Sequence, residues 1–361
     1  METNKLKYLF FLIPLIFSGC FKDPVIPEVS FKLNTTAEIL SYLEEQGDYI
    51  NTDLAPSLVE ASEVNANLNN YLLIDVRPAE QFINGHIQGA INIQNTELFN
   101  YFLTNDISSY QKVVVISQTG QAAAYYACLL ILSGYNNVYS MNFGMTSWNM
   151  DFAGIWLQYT RNSEFVNTFD NQDYYRLNKY PLPNQSFSES ANTIEKKLKE
   201  RIELLLKEGF RDNPQDNQSN PNLTLLFDDI PELGDGELPA DYYFVCYCNP
   251  DAYYTSTAIA GDPLAGYGHP SGTVLFSPGN DLKSTESLQT LPPDKTIVIY
   301  SYSGQSSAYA TAYLKVLGYD TKSVFFGANN LIYSRMIWSS TLKRHAFTSS
   351  SIMNYPYVVG P

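Results

Sequence analysis

Val113-Val114-Val115-Ile116-Ser117-Gln118-Thr119-Gly120-Gln121-Ala122 returns later in altered form as Thr296-Ile297-Val298-Ile299-Tyr300-Ser301-Tyr302-Ser303-Gly304-Gln305-Ser306. Each copy is a run of β-branched and apolar residues, then a short polar loop with a central glycine, then an Ala/Tyr-rich helical stretch. A buried strand that feeds a glycine loop into a helix aims backbone N–H groups at one point, which is an anion-cradling arrangement. The first loop residue after the strand is a serine in both copies.

Working outward, the copies stay in step. Gly120 to Gly134 and Gly304 to Gly318 are both 14 residues, and a tyrosine follows each second glycine (Tyr135, Tyr319). Phe143-Gly144 and Phe326-Gly327 follow, their glycines 10 and 9 residues further on. Upstream, Gly85-His86-Ile87-Gln88-Gly89 matches Gly268-His269-Pro270-Ser271-Gly272, with His-to-Ser spacings of 31 and 32. Landmarks in one order at near-constant spacing imply an internal duplication of a domain of roughly 100–120 residues. The apolar runs Tyr71–Val76, Lys112–Ile116, Asn137–Met141, Tyr242–Tyr247, Thr296–Tyr300 and Ser323–Phe326 read as strands. Their alternation with helical stretches predicts βα units and a parallel sheet, with each loop at a strand's carboxyl end.

Asp75-Val76-Arg77-Pro78-Ala79-Glu80-Gln81-Phe82-Ile83-Asn84-Gly85-His86-Ile87-Gln88-Gly89-Ala90-Ile91-Asn92 resembles the opening signature of a rhodanese-like domain. The loop, helix, Gly-Tyr and Phe-Gly elements follow in that family's order to Gly144-Met145-Thr146-Ser147-Trp148. The resemblance implies an α/β fold: two rhodanese-like domains, each an open, mostly parallel sheet flanked by helices. It further implies sulfur carried as a persulfide on a loop cysteine, in the pattern Cys-x-x-Gly-x-Arg/Ser. That cysteine falls on Ser117 and Ser301, and the last position falls on Ala122 and Ser306. The second copy departs further, with Cys246-Tyr247-Cys248 where the first has Asp75-Val76-Arg77, and an insertion from Tyr254 to Gly266.

Persulfide chemistry needs a thiolate, and a serine hydroxyl hardly ionises near neutral pH unless a base stands beside it. The sequence neighbours Ile116, Gln118, Tyr300 and Tyr302 supply none. There is no Gly-x-Ser-x-Gly elbow of a serine hydrolase, and a cysteine-type phosphatase on these loops would lack both thiol and loop arginine. What survives is a cradle. The candidate ligand-binding residues are Ser117, Gln118, Thr119, Gly120, Gln121 and Ala122 in one copy, and Ser301, Tyr302, Ser303, Gly304, Gln305 and Ser306 in the other. His86 and His269 are expected to serve the turn into the next strand.

Lys5 and Lys7 precede the apolar run Tyr8–Phe17, then Ser18-Gly19-Cys20. These are the parts of a secretion signal, and small residues before a cysteine resemble a bacterial lipobox. Residues 1–19 are thus expected to be a lipoprotein signal peptide, with Cys20 the lipidated first residue and membrane attachment through that lipid. Phe21-Lys22-Asp23 leans towards the outer membrane. Three cysteines then remain, too few for a disulfide framework. Cys128 reads as a small buried hydrophobe. Cys246 and Cys248 read as strand packing, with a redox or sulfur-handling role as the alternative. Two thiols are too few for a structural zinc site, and neither metal nor cofactor is expected. The net charge of −15 over 361 residues disfavours nucleic acid and anionic surfaces as electrostatic partners.

The organisation expected is a tether at 20–33, a helical prefix at 34–54 opened by a Thr35-Thr36-Ala37-Glu38 capping box, and a first domain at 55–160. A linker follows at 161–222, with a helix at 194–209 that packs on its own domain and a polar loop from Asp212 to Asn222. A second domain at 223–345 and a tail at 346–361 complete it. The functional expectation is an exported, lipid-anchored tandem protein without persulfide transfer, binding a small anion or an envelope protein. The alternatives are sulfur transfer or redox chemistry at Cys246 or Cys248, and a structural envelope role.

Overall fold

The computed structural model divides the chain into residues 1–33 and 34–361. It describes residues 34–361 except 53–54, 177, 217–219, 231, 234–237 and 255–260. The signal, Cys20 and the tether lie outside the described residues.

Two sheets of five parallel strands form. The first takes β1 (Leu58–Val59), β2 (Tyr71–Asp75), β3 (Ile91–Asn92), β4 (Lys112–Ile116) and β5 (Val138–Met141) in the order β1-β5-β4-β2-β3. The second takes β6 (Thr224–Leu225), β7 (Tyr242–Tyr247), β8 (Val274–Phe276), β9 (Thr296–Tyr300) and β10 (Thr321–Val324) in the order β6-β10-β9-β7-β8. The identical strand order confirms two α/β domains of one plan. The two- and three-residue edge strands carry too little periodicity to be read from sequence. The sixth strand lies two residues upstream of its expected place, because Phe325 and Phe326 turn away into the interface core beyond the strand's end.

The domains join through their loop-borne helices, Gln121–Leu132 and Gln305–Val316. All twelve residues of the first are buried. A helix apolar all round must be covered all round, and here its own sheet covers one side and the other domain the other. Residues of both helices belong to one continuous core.

The helical prefixes cross over. Helix Thr35–Gln46 is capped by Asn34, whose Oδ1 accepts from Thr36 N at 2.8 Å, rather than by the expected Thr35 box. At its last turn and just past it, domain 2 takes hold: Ser284 N and Oγ donate to the Glu44 carboxylate at 2.8 and 2.6 Å, and Tyr309 Oη donates to Tyr49 O at 3.0 Å. Helix Ile194–Glu208, capped by Thr193, lies across domain 1 as well as its own domain. Asn95 Nδ2 donates to Leu206 O at 2.7 Å, and Phe210 N donates to Tyr126 Oη at 2.9 Å. Arg201 meanwhile bonds Lys315 O in domain 2. The tail also returns to domain 1, where His86 and Val358 exchange backbone hydrogen bonds at 2.9 Å and Trp148 Nε1 donates to Pro356 O at 2.8 Å.

Asp75 and Arg77 form a buried ion pair at the end of β2. Arg77 Nη2 reaches Asp75 Oδ2 at 2.7 Å and Gly85 O at 2.7 Å, so the pair fastens the strand to the Gly-His turn. Removing one partner strands the other charge. Arg77→Met is expected to cost about 3–5 kcal/mol by urea denaturation, while the matched Asp75→Leu/Arg77→Met recovers most of it. A double variant no better than the single one would place the loss elsewhere.

Candidate functional site

The first loop sits where β4 ends, and its donors converge on a carboxylate. That anion belongs to the chain itself. Asp212, from the polar stretch after helix 194–208, places its carboxylate in the cradle. Oδ1 accepts from Ala122 N at 2.8 Å and from Ser117 Oγ at 3.0 Å. Oδ2 accepts from Thr119 N at 2.8 Å. The Thr119 hydroxyl lies 2.7 Å from Asp212 O and 2.9 Å from Oδ1. Burial pushes the Asp212 carboxyl above its usual range, and the N–H groups of Ala122 and Thr119 pull against that rise.

Ser117 is only 2 % exposed. Its oxygen also accepts from Gly120 N at 3.1 Å and Ala123 N at 3.2 Å, so its lone pairs and its proton are all engaged. Asp212 is therefore a base beside this hydroxyl that no sequence neighbour supplies, but the group it faces is still an oxygen and cannot carry sulfur as a persulfide. Gln118 Nε2 donates to Phe152 O at 2.8 Å. Outside the cradle lies a polar cavity of about 170 Å³, lined in part by Arg77, Gln81, Gln94, Asn95 and Asn213. A wider cleft of about 570 Å³ shares Arg77, Gln81, Gln118 and Asn213 and reaches Phe152 and Tyr357.

A profile of the rhodanese-like domain matches residues 60–151 and again 249–328. The thiosulfate sulfurtransferase GlpE of Shewanella oneidensis is 34% identical over 80 residues, covering 21% of this chain and 74% of that protein. This chain belongs to the rhodanese-like domain family. The adenylyltransferase and sulfurtransferase UBA4 of Candida albicans is 30% identical over 110 residues, which are 29% of this chain but only a quarter (25%) of that protein. A rhodanese-related protein from Thermoplasma volcanium is 28% identical, covering 25% of this chain and 87% of that one, with a TM-score of 0.22.

The second rhodanese-like loop is sealed differently. Ser301 is fully buried, accepts from Ser307 N at 3.0 Å and lies 3.3 Å from Ser307 Oγ, which meets Ser323 Oγ at 2.8 Å. This hydroxyl chain is core structure. Tyr302 stacks on His345 with centroids 4.0 Å apart and donates to Asp251 Oδ1 at 2.9 Å. Ser303 is buried, while Ser306 is partly exposed.

The two loops meet back to back and exchange glutamines. Gln121 Oε1 accepts from Phe326 N and Gln305 Oε1 from Phe143 N, both at 2.9 Å. Trp156 fills the space between them, packed against Phe143, Phe326 and Phe347 with its Nε1 donating to Thr119 O at 3.2 Å. Positions 121 and 305 therefore hold the domains together rather than face a ligand.

Cys128, Cys246 and Cys248 are free thiols with no exposed surface. Burial pushes the Cys128 and Cys248 thiols well up, and Cys246 beside Cys248 adds to the rise there. His86 Nδ1 lies 2.9 Å from Phe82 O and His269 Nδ1 2.8 Å from Tyr253 O, each bracing its turn.

Sequence reasoning misses Asp212. It reads as the start of a structureless polar loop, although it lies three residues past the glycine that ends the preceding helix.

Proposed function

We propose that this is an exported, lipid-anchored tandem rhodanese-like protein that does not transfer sulfur and acts as a binding or interaction module in the bacterial cell envelope. The observation that carries the reading is the state of the two sulfur-carrier positions. Both are serine, both are buried, and the one beside a cavity donates its proton to Asp212. Hydroxyl oxygen cannot hold a transferable sulfane sulfur through an S–S bond. The sequence from Lys5 to Cys20 supports the lipid anchor, and among the described residues no helix is long and apolar enough to cross a membrane.

The test is a thiosulfate:cyanide assay on residues 20–361, with mass spectrometry for bound sulfur. Turnover at background and no +32 Da adduct are expected. Turnover lost on changing Ser117 or Ser301 would overturn the reading. Iodoacetamide checks the rival use of Cys246 or Cys248: because the thiols are buried and Cys248 is raised, alkylation is expected only after denaturation. Rapid labelling of either in the folded protein, with loss of an activity, would favour the rival. For the anchor, Cys20→Ser is expected to move the protein from the membrane to the soluble fraction of the native host.

A further inference from the structure

The cradle in domain 1 shows what it recognises. Its occupant is a carboxylate, met by two backbone N–H groups and the hydroxyls of Ser117 and Thr119, all within 3.0 Å. The carboxylate reaches it from outside the domain, 90 residues beyond Ala122 in sequence. It does so on a short segment, 209–216, whose root is fixed. Phe210 stacks on Tyr125 with centroids 4.7 Å apart, and Gly209 turns the chain at φ +73°. Past Asp212 the segment folds on itself, with Asp216 N bonded to Asn213 O and Arg211 Nε to Asp216 O. At the exposed rim Gln215 Nε2 touches Gln158 Oε1 at 3.1 Å. Immediately outside the carboxylate lies the polar cavity lined by Arg77, Gln81, Gln94 and Asn95.

We propose that segment 209–216 is a strap whose Asp212 carboxylate fills a carboxylate-recognition site from within, and that a ligand with a free carboxylate displaces it. The ligand's carboxylate would take the four donors, and the rest of the ligand would lie in the cavity that opens towards Phe152 and Tyr357. Three of the donors fall on Oδ1 and the fourth, Thr119 N, on Oδ2, so the set engages both oxygens of one carboxylate. The proposal deepens the reading of the protein as a binding module. Its readouts are stability and exchange rather than sulfur transfer, so each can fail without the other.

The first experiment is chemical rescue in the 20–361 protein. Asp212→Gly removes the internal carboxylate. Sodium acetate at about five times its dissociation constant is expected to raise the melting temperature of this variant by about 2–4 °C over sodium chloride at equal ionic strength. Wild type should not respond, nor should Asp212→Gly/Ser117→Ala/Thr119→Val. Should Asp212→Gly fail to fold alone, refolding yield against acetate gives the same reading, and Asp212→Asn serves as the shape-matched variant. No acetate-specific gain, or an equal gain in wild type or the triple variant, overturns the recognition site.

The second experiment tests displacement and source. Hydrogen exchange of residues 210–216 in wild type is expected to quicken several-fold with acetate if small acids suffice. It should quicken with a short peptide but not its C-terminal amide if a chain terminus is the better fit. Unchanged exchange in every arm overturns the strap.

Discussion

Placing a thiol at position 117 is expected to leave the protein inert. In Ser117→Cys the sulfur replaces an oxygen that lies 3.0 Å from Asp212 Oδ1. A thiolate there faces a carboxylate, and like charge at that range raises a pKa by about 1–3 units. A thiol near 8.5 is a few per cent ionised at pH 7, so the thiolate falls by a further ten- to a thousandfold, roughly. Alkylation of the introduced thiol by iodoacetamide at pH 7 should therefore be slow, and sulfane sulfur should not accumulate. Adding Asp212→Gly lifts the charge and uncovers the loop, and the alkylation rate is expected to rise about 100-fold. Cys128, Cys246 and Cys248 are buried and stay silent in this assay, which is run on residues 21–361 so that Cys20 is absent. If Ser117→Cys alone takes up one sulfur atom per chain from thiosulfate, the carboxylate does not silence the loop.

The second large effect concerns the exchanged glutamines. Gln305→Leu keeps the side chain's bulk but leaves Phe143 N–H buried without an acceptor, and Gln121→Leu does the same to Phe326 N–H. A stranded buried donor costs about 1–3 kcal/mol. With the lost bonds from Gln305 Nε2 to Gly120 O and Met141 O, the expected destabilisation for Gln305→Leu is about 2–4 kcal/mol. The two sites share the same few ångströms of interface, so the double variant should fall short of the sum. Urea denaturation followed by fluorescence measures this. A change below about 0.5 kcal/mol for Gln305→Leu would show that the interface does not rest on these bonds.

The duplication, the five-residue strands and the serine loops are legible in the sequence, because each is written in neighbouring residues. Val113 to Ile116 and Ile297 to Tyr300 are apolar in unbroken runs, as strands covered on both faces must be. Gly120 and Gly304 mark the turns, and both take left-handed φ values of +85° and +80°. What stays hidden depends on residues far apart. Asp212 is 93 residues from Thr119, and nothing near it in sequence announces a buried carboxylate. Val358 meets His86 only because the tail doubles back. Gln121 and Gln305 read as cradle residues because they open their helices. Their true partners, the amides of Phe326 and Phe143, belong to the other copy.

The exchange of prefixes and glutamines bears on how such a chain can change over time. A duplicated gene can ordinarily lose a copy or divide in two, since each copy encodes a self-sufficient body. Here either half released alone would expose an apolar helix, unpaired amides and an empty mooring for its sibling's leader segment. Fission or the loss of one copy would therefore carry a folding cost that a pair of independent bodies would not.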